Sequence, residues 1–193
     1  MTKNLKQILI EEKLTLELDP EYGTDKGGPK SYVEEYYEGK FLNFQEKKIT
    51  LVEIGVRSGA SLCLWKNYFS KKSKIYGVDN LNDKNINNIP INSEWISGEN
   101  VEYIVGDAYN KSIRDKIIGD IDILIDDGPH TFESHVKLLE LYVSKMKKGG
   151  IIIIEDISYD YNRLYDFVPE EYKKTSSLYD FGGYDNRLIE IIL

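Results

Sequence analysis

Five short apolar runs punctuate the chain, at residues 49–54, 75–78, 101–105, 121–125 and 151–154. They are rich in β-branched residues and do not alternate with polar ones, so each reads as a strand buried on both faces. Between them apolar positions recur at helical spacing. The clearest set is Phe132, Val136, Leu139, Val143 and Met146, with Thr131 in the N-cap place and Gly149-Gly150 as a stop. Residues 61–69 and 110–118 carry fainter patterns of the same kind. Strand and helix in alternation predict an α/β fold, a doubly wound and mainly parallel sheet with helices on both faces. Residues 177–181 and 187–192 flank Gly182-Gly183-Tyr184-Asp185. That pattern predicts a hairpin, hence an antiparallel finish to a seven-stranded sheet.

The ends of the runs are acidic. The first carries Glu53 and stops at Gly55, and the second stops at Asp79. The third stops at Gly106-Asp107, the fourth at Asp126-Asp127 and the fifth at Glu155-Asp156. Open α/β sheets bind ligands outside the carboxyl ends of their strands, so these acids are expected on one functional rim. Helix capping accounts for one or two of them and not for the set.

Length and composition fit one domain of 193 residues, expected as an N-terminal helical or lid segment over 1–45 and a core over 46–193. The net charge of -8 argues against a nucleic-acid partner held through its phosphates. The single Cys63 excludes an intramolecular disulfide and, among Leu62, Leu64 and Trp65, reads as a small buried hydrophobe. The first residues are too charged for a secretory signal and no apolar run is long enough to span a membrane, so a cytoplasmic protein with no membrane partner is expected. The commonness of symmetric assemblies makes a homo-oligomer the default expectation.

The turn after the first run reads Glu53-Ile54-Gly55-Val56-Arg57-Ser58-Gly59-Ala60-Ser61. Its glycines allow a tight turn and close approach of a ligand. Arg57 occupies the place where a dinucleotide fingerprint requires glycine, so an NAD-binding domain is disfavoured. Asp79 stands where a carboxylate can accept both hydroxyls of a ribose, and Asp107 where one can take an adenine amino group. With these residues in this order, the chain resembles the class I S-adenosylmethionine-dependent methyltransferases, whose fold is Rossmann-like. The resemblance implies cofactor binding through Glu53, Gly55, Ser58, Gly59 and Ser61, through Asp79 at the ribose, and through Asp107 and Ala108 at the adenine.

Asp126, Asp127, Glu155 and Asp156 place four carboxylates on neighbouring strand ends, a group that resists ionisation unless a cation joins it. An oxygen-rich set suits Mg²⁺, with Mn²⁺ or Ca²⁺ as alternatives, and nothing in the spacing suggests zinc. His130 heads the following helix, where an imidazole can take a proton from a hydroxyl. His135 lies mid-helix and reads as structural. Asp126-Asp127-Gly128-x-His130-Thr131 with Glu155-Asp156 resembles the metal-dependent sugar O-methyltransferases that act on macrolide deoxysugars, and their relatives. Gly23-Thr24-Asp25-Lys26-Gly27, followed by Ser31-Tyr32 and Tyr36, resembles the segment that precedes their fold. The resemblance implies metal ligation by Asp127, Glu155 and Asp156, general base catalysis by His130 and a cofactor-side place for Asp126. It also implies lid or substrate roles for Thr24, Lys26 and Tyr32.

Lys30 stands where such relatives often carry His, and Pro129 where they often carry Ser. The large N-terminal domain of the longest macrolide enzymes has no counterpart in the sequence as read. The expected activity is methyl transfer from S-adenosylmethionine to a hydroxyl of a sugar, nucleotide-sugar or glycan acceptor. The alternatives are a catechol or phenol acceptor, or a SAM-binding partner subunit without catalysis. The Asn-rich stretch 80–100 and the tyrosine-containing segment 158–175 are expected to shape the acceptor pocket.

Overall fold

The computed structural model describes residues 3–80 and 91–193. Its sheet has seven strands: β1 Thr50–Ile54, β2 Lys74–Asp79, β3 Val101–Val105, β4 Ile121–Asp126, β5 Met146–Ile154, β6 Ser176–Asp180 and β7 Arg187–Ile192. Their order is β3-β2-β1-β4-β5-β7-β6. The first five are mutually parallel, and β7 enters antiparallel between β5 and β6. The chain therefore reverses its winding between β1 and β4, where an α/β sheet opens a crevice at its carboxyl edge.

Strand alternation sorts the apolar runs onto two faces. Leu51, Ile123, Ile125, Ile151 and Ile153 pack on one side with Leu5, Tyr37, Phe41 and Trp65. Val52, Ile54, Leu124, Ile152 and Ile154 pack on the other with Leu138, Leu139, Tyr142 and Leu164. The first layer holds α1 (Leu5–Glu11), α2 (Glu38–Phe41, entered through a π-helical turn at Val33–Tyr37) and α3 (Ala60–Tyr68). Cys63 of α3 is buried there as a free thiol. The second layer holds α4 (Lys111–Arg114), α5 (Phe132–Tyr142), α6 (Asn162–Tyr165) and α7 (Glu170–Lys173). Among the described residues no helix is long and apolar enough to cross a membrane.

Two helical readings change. The helix expected to run through Met146 stops at Tyr142, and Met146 opens β5 by pairing with Ile121. Gly149-Gly150 lies inside that strand beside a register shift in its pairing with β4, and Gly149 adopts φ +78°. A Cβ on Gly150 would press on the carbonyls of Lys147, Ile121 and Asp122, so these glycines permit a bulge instead of ending a helix. The 110–118 pattern yields only the single turn of α4, capped by the Asn110 side chain on the Ser112 N–H.

The segment between α1 and the π-helical turn crosses the carboxyl edge of the sheet. The Thr24 N–H donates to the Leu14 carbonyl at 2.6 Å, and the Leu16 N–H to Thr24 at 3.1 Å. A Cβ on Gly23 would overlap the Thr15 backbone, and one on Gly27 the Leu9 side chain. Glycine is what lets the strap lie this close.

Candidate active site

A cavity of about 600 Å³ opens at the switch point. One end is lined by Gly55, Ser58, Ser61, Asp79, Asp107, Ala108 and Tyr109, the other by Asp127, Gly128, Pro129, His130 and Asp156. Thr24, Asp25 and Leu16 of the strap form part of the wall. Gly55 takes φ +84° directly against Asp127, and a Cβ there would overlap the Asp127 carbonyl. The two ends of the cavity are thus joined through bare backbone.

Asp79 braces the glycine turn as well as lining the cavity. Its Oδ2 accepts from the N–H groups of Val56 at 2.8 Å and Arg57 at 3.0 Å. Arg57, at φ +50°, sends its guanidinium to the Gly23 carbonyl at 2.7 Å, and the Ser58 hydroxyl donates to the Tyr22 carbonyl. The turn and the strap are therefore tied together. Glu53 and Gly59 take other places. Glu53 is fully buried, accepts from the Ser61 hydroxyl at 2.8 Å and supports the cavity floor from below. Gly59, at φ +98°, lies where a Cβ would crowd Ile96. Of the Asn-rich stretch, residues 81–90 lie outside the described residues; Asn80 lines the cavity, and the Asn92 N–H donates to the Ser58 carbonyl at 2.9 Å.

The doubled acids point to opposite faces, as strand alternation requires. Asp126 turns toward the second helical layer, fully buried, and accepts from the Tyr109 hydroxyl at 2.7 Å and the Gly128 N–H at 3.2 Å. It lies behind Tyr109 and does not line the cavity. Asp127 turns toward the first layer, where Lys26 Nζ meets its Oδ2 at 2.5 Å. The same ammonium pairs with Glu155 and lies 3.8 Å from Glu53. Burial alone would lower the affinity of Lys26 for its proton, but Asp127, Glu155 and Glu53 outweigh it and hold the ammonium well above its usual range. Burial pushes Glu53 up to about 7, opposed by Lys26. It pushes Asp126 up to about 6, opposed by the Tyr109 hydroxyl.

Glu155 faces inward, both oxygens engaged, one by Lys26 and the other by the Tyr37 hydroxyl. The acids expected to hold a metal therefore separate in the structure. The ligand atoms that converge, all within 4.8 Å of one another, belong to Asp127, His130 and Asp156. His130 Nε2 lies 3.8 Å from Asp127 Oδ1 and 4.0 Å from Asp156 Oδ2, and its Nδ1 is buried without a partner among the described residues. His130 and Asp156 both adopt left-handed backbone, φ +54° and +56°. Such backbone is strained for residues with a Cβ and gathers at functional sites. Two carboxylate oxygens facing one point beside a cavity, with an imidazole next to them, fit a hard divalent cation that retains water or substrate.

Thr24, Lys26 and Tyr32, expected as lid or substrate contacts, divide. Thr24 lines the cavity, whereas Lys26 and Tyr32 are buried in the acid cluster, Tyr32 donating to Asp156 Oδ1 at 2.6 Å. Tyr37 and Tyr109 join the site without having been anticipated. Tyr109 stands two residues after Asp107, so its place just beyond an acidic strand end was the available signal; Tyr37 had none. In the 158–175 segment, Tyr159 packs on Phe132 and bonds His135 Nδ1 at 2.7 Å, and no residue of the segment lines the cavity.

A family model described as a methyltransferase domain matches residues 52–157, from β1 through the end of β5. The chain belongs to this methyltransferase-domain family. It is 31% identical over 179 residues to the 8-demethyl-8-alpha-L-rhamnosyl tetracenomycin-C 2'-O-methyltransferase of Streptomyces olivaceus, covering 88% of this chain and 43% of that protein. It is 28% identical over 152 residues to the mycinamicin VI 2''-O-methyltransferase of Micromonospora griseorubida, covering 73% and 35%. The solved MycE methyltransferase of the mycinamycin biosynthetic pathway, in complex with Mg and SAH, superposes with a TM-score of 0.62 at 25% identity, covering 81% of this chain and 38% of that one. The chain thus spans less than half the length of the curated relatives named here.

Proposed function

We propose that this chain transfers a methyl group from S-adenosylmethionine to a hydroxyl of a sugar, nucleotide-sugar or glycan acceptor, assisted by a divalent cation, Mg²⁺ by preference. The observation that carries the reading is the continuity of the cavity. One space of about 600 Å³ joins the glycine turn, Asp79 and Asp107 to the converging Asp127, His130 and Asp156. The relative that matches at 31% identity is named as a 2'-O-methyltransferase of a rhamnosyl tetracenomycin and the one at 28% as a 2''-O-methyltransferase of mycinamicin VI, which favours a sugar hydroxyl over a catechol.

Each part of the cavity has its own task. The turn at Gly55, with Ser58 and Ser61, and the acids Asp79 and Asp107 with Ala108 bind and orient the cofactor along the cavity. When bound, the cofactor would supply an electrophilic methyl group and the cation would make the acceptor hydroxyl easier to deprotonate. Asp127 and Asp156 would hold that cation, with Lys26 and Glu155 packed behind them. His130, facing both carboxylates at the cavity wall, receives the hydroxyl proton. Within the 1–45 segment the lid role falls to the strap, whose Thr24 and Asp25 line the cavity, while the helices on either side of it pack into the core.

The test is a mass-spectrometric screen of sugar, nucleotide-sugar, glycan and catechol acceptors with S-adenosylmethionine and Mg²⁺. A gain of one CH₂ on a sugar acceptor, lost in EDTA and restored by Mg²⁺, is the expected result. Methylation confined to catechols would move the acceptor class. Undiminished turnover in EDTA, with Asp127→Ala still active, would remove the cation from the reading.

A further inference from the structure

The two carboxylates that face the cation position are held in the same way by the N-terminal strap. Asp127 presents Oδ1 to His130, while its Oδ2 is fixed by Lys26 at 2.5 Å. Asp156 presents Oδ2 to His130, while its Oδ1 is fixed by the Tyr32 hydroxyl at 2.6 Å, with Lys30 Nζ 3.4 Å away. One oxygen of each acid is thus taken by a chain donor and the other is left to converge. Lys26 and Tyr32 come from a segment about a hundred residues distant in sequence, and both side chains are almost completely buried.

We propose that Lys26 and Tyr32 are positioning residues that aim Asp127 Oδ1 and Asp156 Oδ2 at a single cation. The inference rests on the cation reading given above and deepens it. An unrestrained carboxylate rotates and offers either oxygen, whereas a donor on the outer oxygen fixes the plane and leaves one lone-pair direction for the ion. Lys26 adds a second effect. Its ammonium stands between Asp127, Glu155 and Glu53, offsets their mutual repulsion and so keeps the Asp127 carboxylate from turning away from the cluster. Tyr32 is confined by its ring, edge-on to Phe181 at 5.7 Å, and by the Asp185 and Arg187 carbonyls, each 3.2 Å from its oxygen. The hydroxyl therefore cannot follow the carboxylate if it swings.

The discriminating variant is Tyr32→Phe, which deletes one oxygen and keeps the ring packing. Mn²⁺ affinity is measured by calorimetry on the full chain, alongside S-adenosylhomocysteine affinity as a control at the opposite end of the cavity. The expected result is a Mn²⁺ affinity weaker by roughly 10–100-fold, the usual effect of removing an outer partner of a metal ligand, with S-adenosylhomocysteine binding unchanged. Lys26→Met removes the buried ammonium altogether and is expected to lose Mn²⁺ binding more completely, or to fail to fold, so Tyr32→Phe decides the matter. Wild-type Mn²⁺ affinity in Tyr32→Phe would overturn the proposal, as would a parallel loss of both ligands, which marks a purely structural role. Absence of Mn²⁺ binding in the wild type itself would instead defeat the underlying cation reading, and this proposal with it.

Discussion

His130 and His135 lie little more than one helical turn apart in sequence, yet their surroundings give them opposite chemistry. His130 sits on the cavity wall with Nε2 toward two carboxylates, on left-handed backbone. Substitution by Asn tolerates that backbone and removes the imidazole. If the imidazole is the base, His130→Asn keeps the fold and Mn²⁺ affinity and loses turnover on the order of 10²–10⁴-fold. A matching collapse of Mn²⁺ affinity would make it a ligand instead. His135 is fully buried, with Nδ1 on the Tyr159 hydroxyl at 2.7 Å and Nε2 unpaired. Burial, helped by His130, holds its pKa down to about 3. The folded state thus refuses a proton that the unfolded chain accepts below about 6.5. This stability is complete above that pH and is lost as pH falls toward 3. Between pH 7 and pH 5 the loss from this group is about 2 kcal/mol. Urea denaturation at the two pH values should show that difference shrinking in His135→Gln; an unchanged slope would place the acid sensitivity elsewhere.

At the scale of elements, α5 links the fold to the chemistry. Thr131 caps it by accepting from the Ser134 N–H at 3.1 Å, and the Ser134 hydroxyl returns to the Thr131 N–H at 3.3 Å. His130 immediately precedes this cap, so Thr131→Ala is expected to cost about 1 kcal/mol of stability in denaturant titration. It should also lower turnover beyond what the stability loss explains, because the helix entry fixes the imidazole. The cap was legible because Thr131 stands before an apolar period, and the parallel strands were legible because burial on both faces leaves unbroken apolar runs. The start of β5 was not, since Met146 continues the apolar spacing of α5 and only pairing with Ile121 makes it a strand. The one-turn helices α6 and α7 are too short for a period to show. Among the acids, the strand ends were evident but their directions were not. Parity sends Asp126 to Tyr109, and Glu155 to Lys26 and Tyr37, and nothing local to either acid says which of these partners it will meet.

At the scale of the whole molecule, the site is also the fastener of the chain. Lys26 joins the strap to Asp127 and Glu155 just beyond β4 and β5, Tyr32 joins it to Asp156 one residue further, and Lys30 reaches Asp185 in the β6–β7 hairpin. The Asp79 carboxylate holds the glycine turn through two of its N–H groups, and the Arg57 guanidinium ties that turn to the same strap at the Gly23 carbonyl. Ligands at this rim should therefore stabilise the global fold and not a local loop. A ligand at a hundred times its Kd adds about 2.7 kcal/mol by mass action. For a chain of this size that raises Tm by roughly 5–11 °C. S-adenosylhomocysteine and Mn²⁺ are each expected to raise Tm, and because they occupy opposite ends of one cavity they should do so together. EDTA should cancel the Mn²⁺ increment alone. Asp79→Ala should cancel the cofactor increment alone, weakening S-adenosylhomocysteine binding by about 1.5–3 kcal/mol, the range for hydrogen bonds involving a charged group. A shift with NAD and none with S-adenosylhomocysteine would contradict the cofactor assignment. If Asp79→Ala instead abolished both increments, the turn and the acid cluster would have to be a single cooperative unit, with the strap transmitting the loss from one end of the cavity to the other.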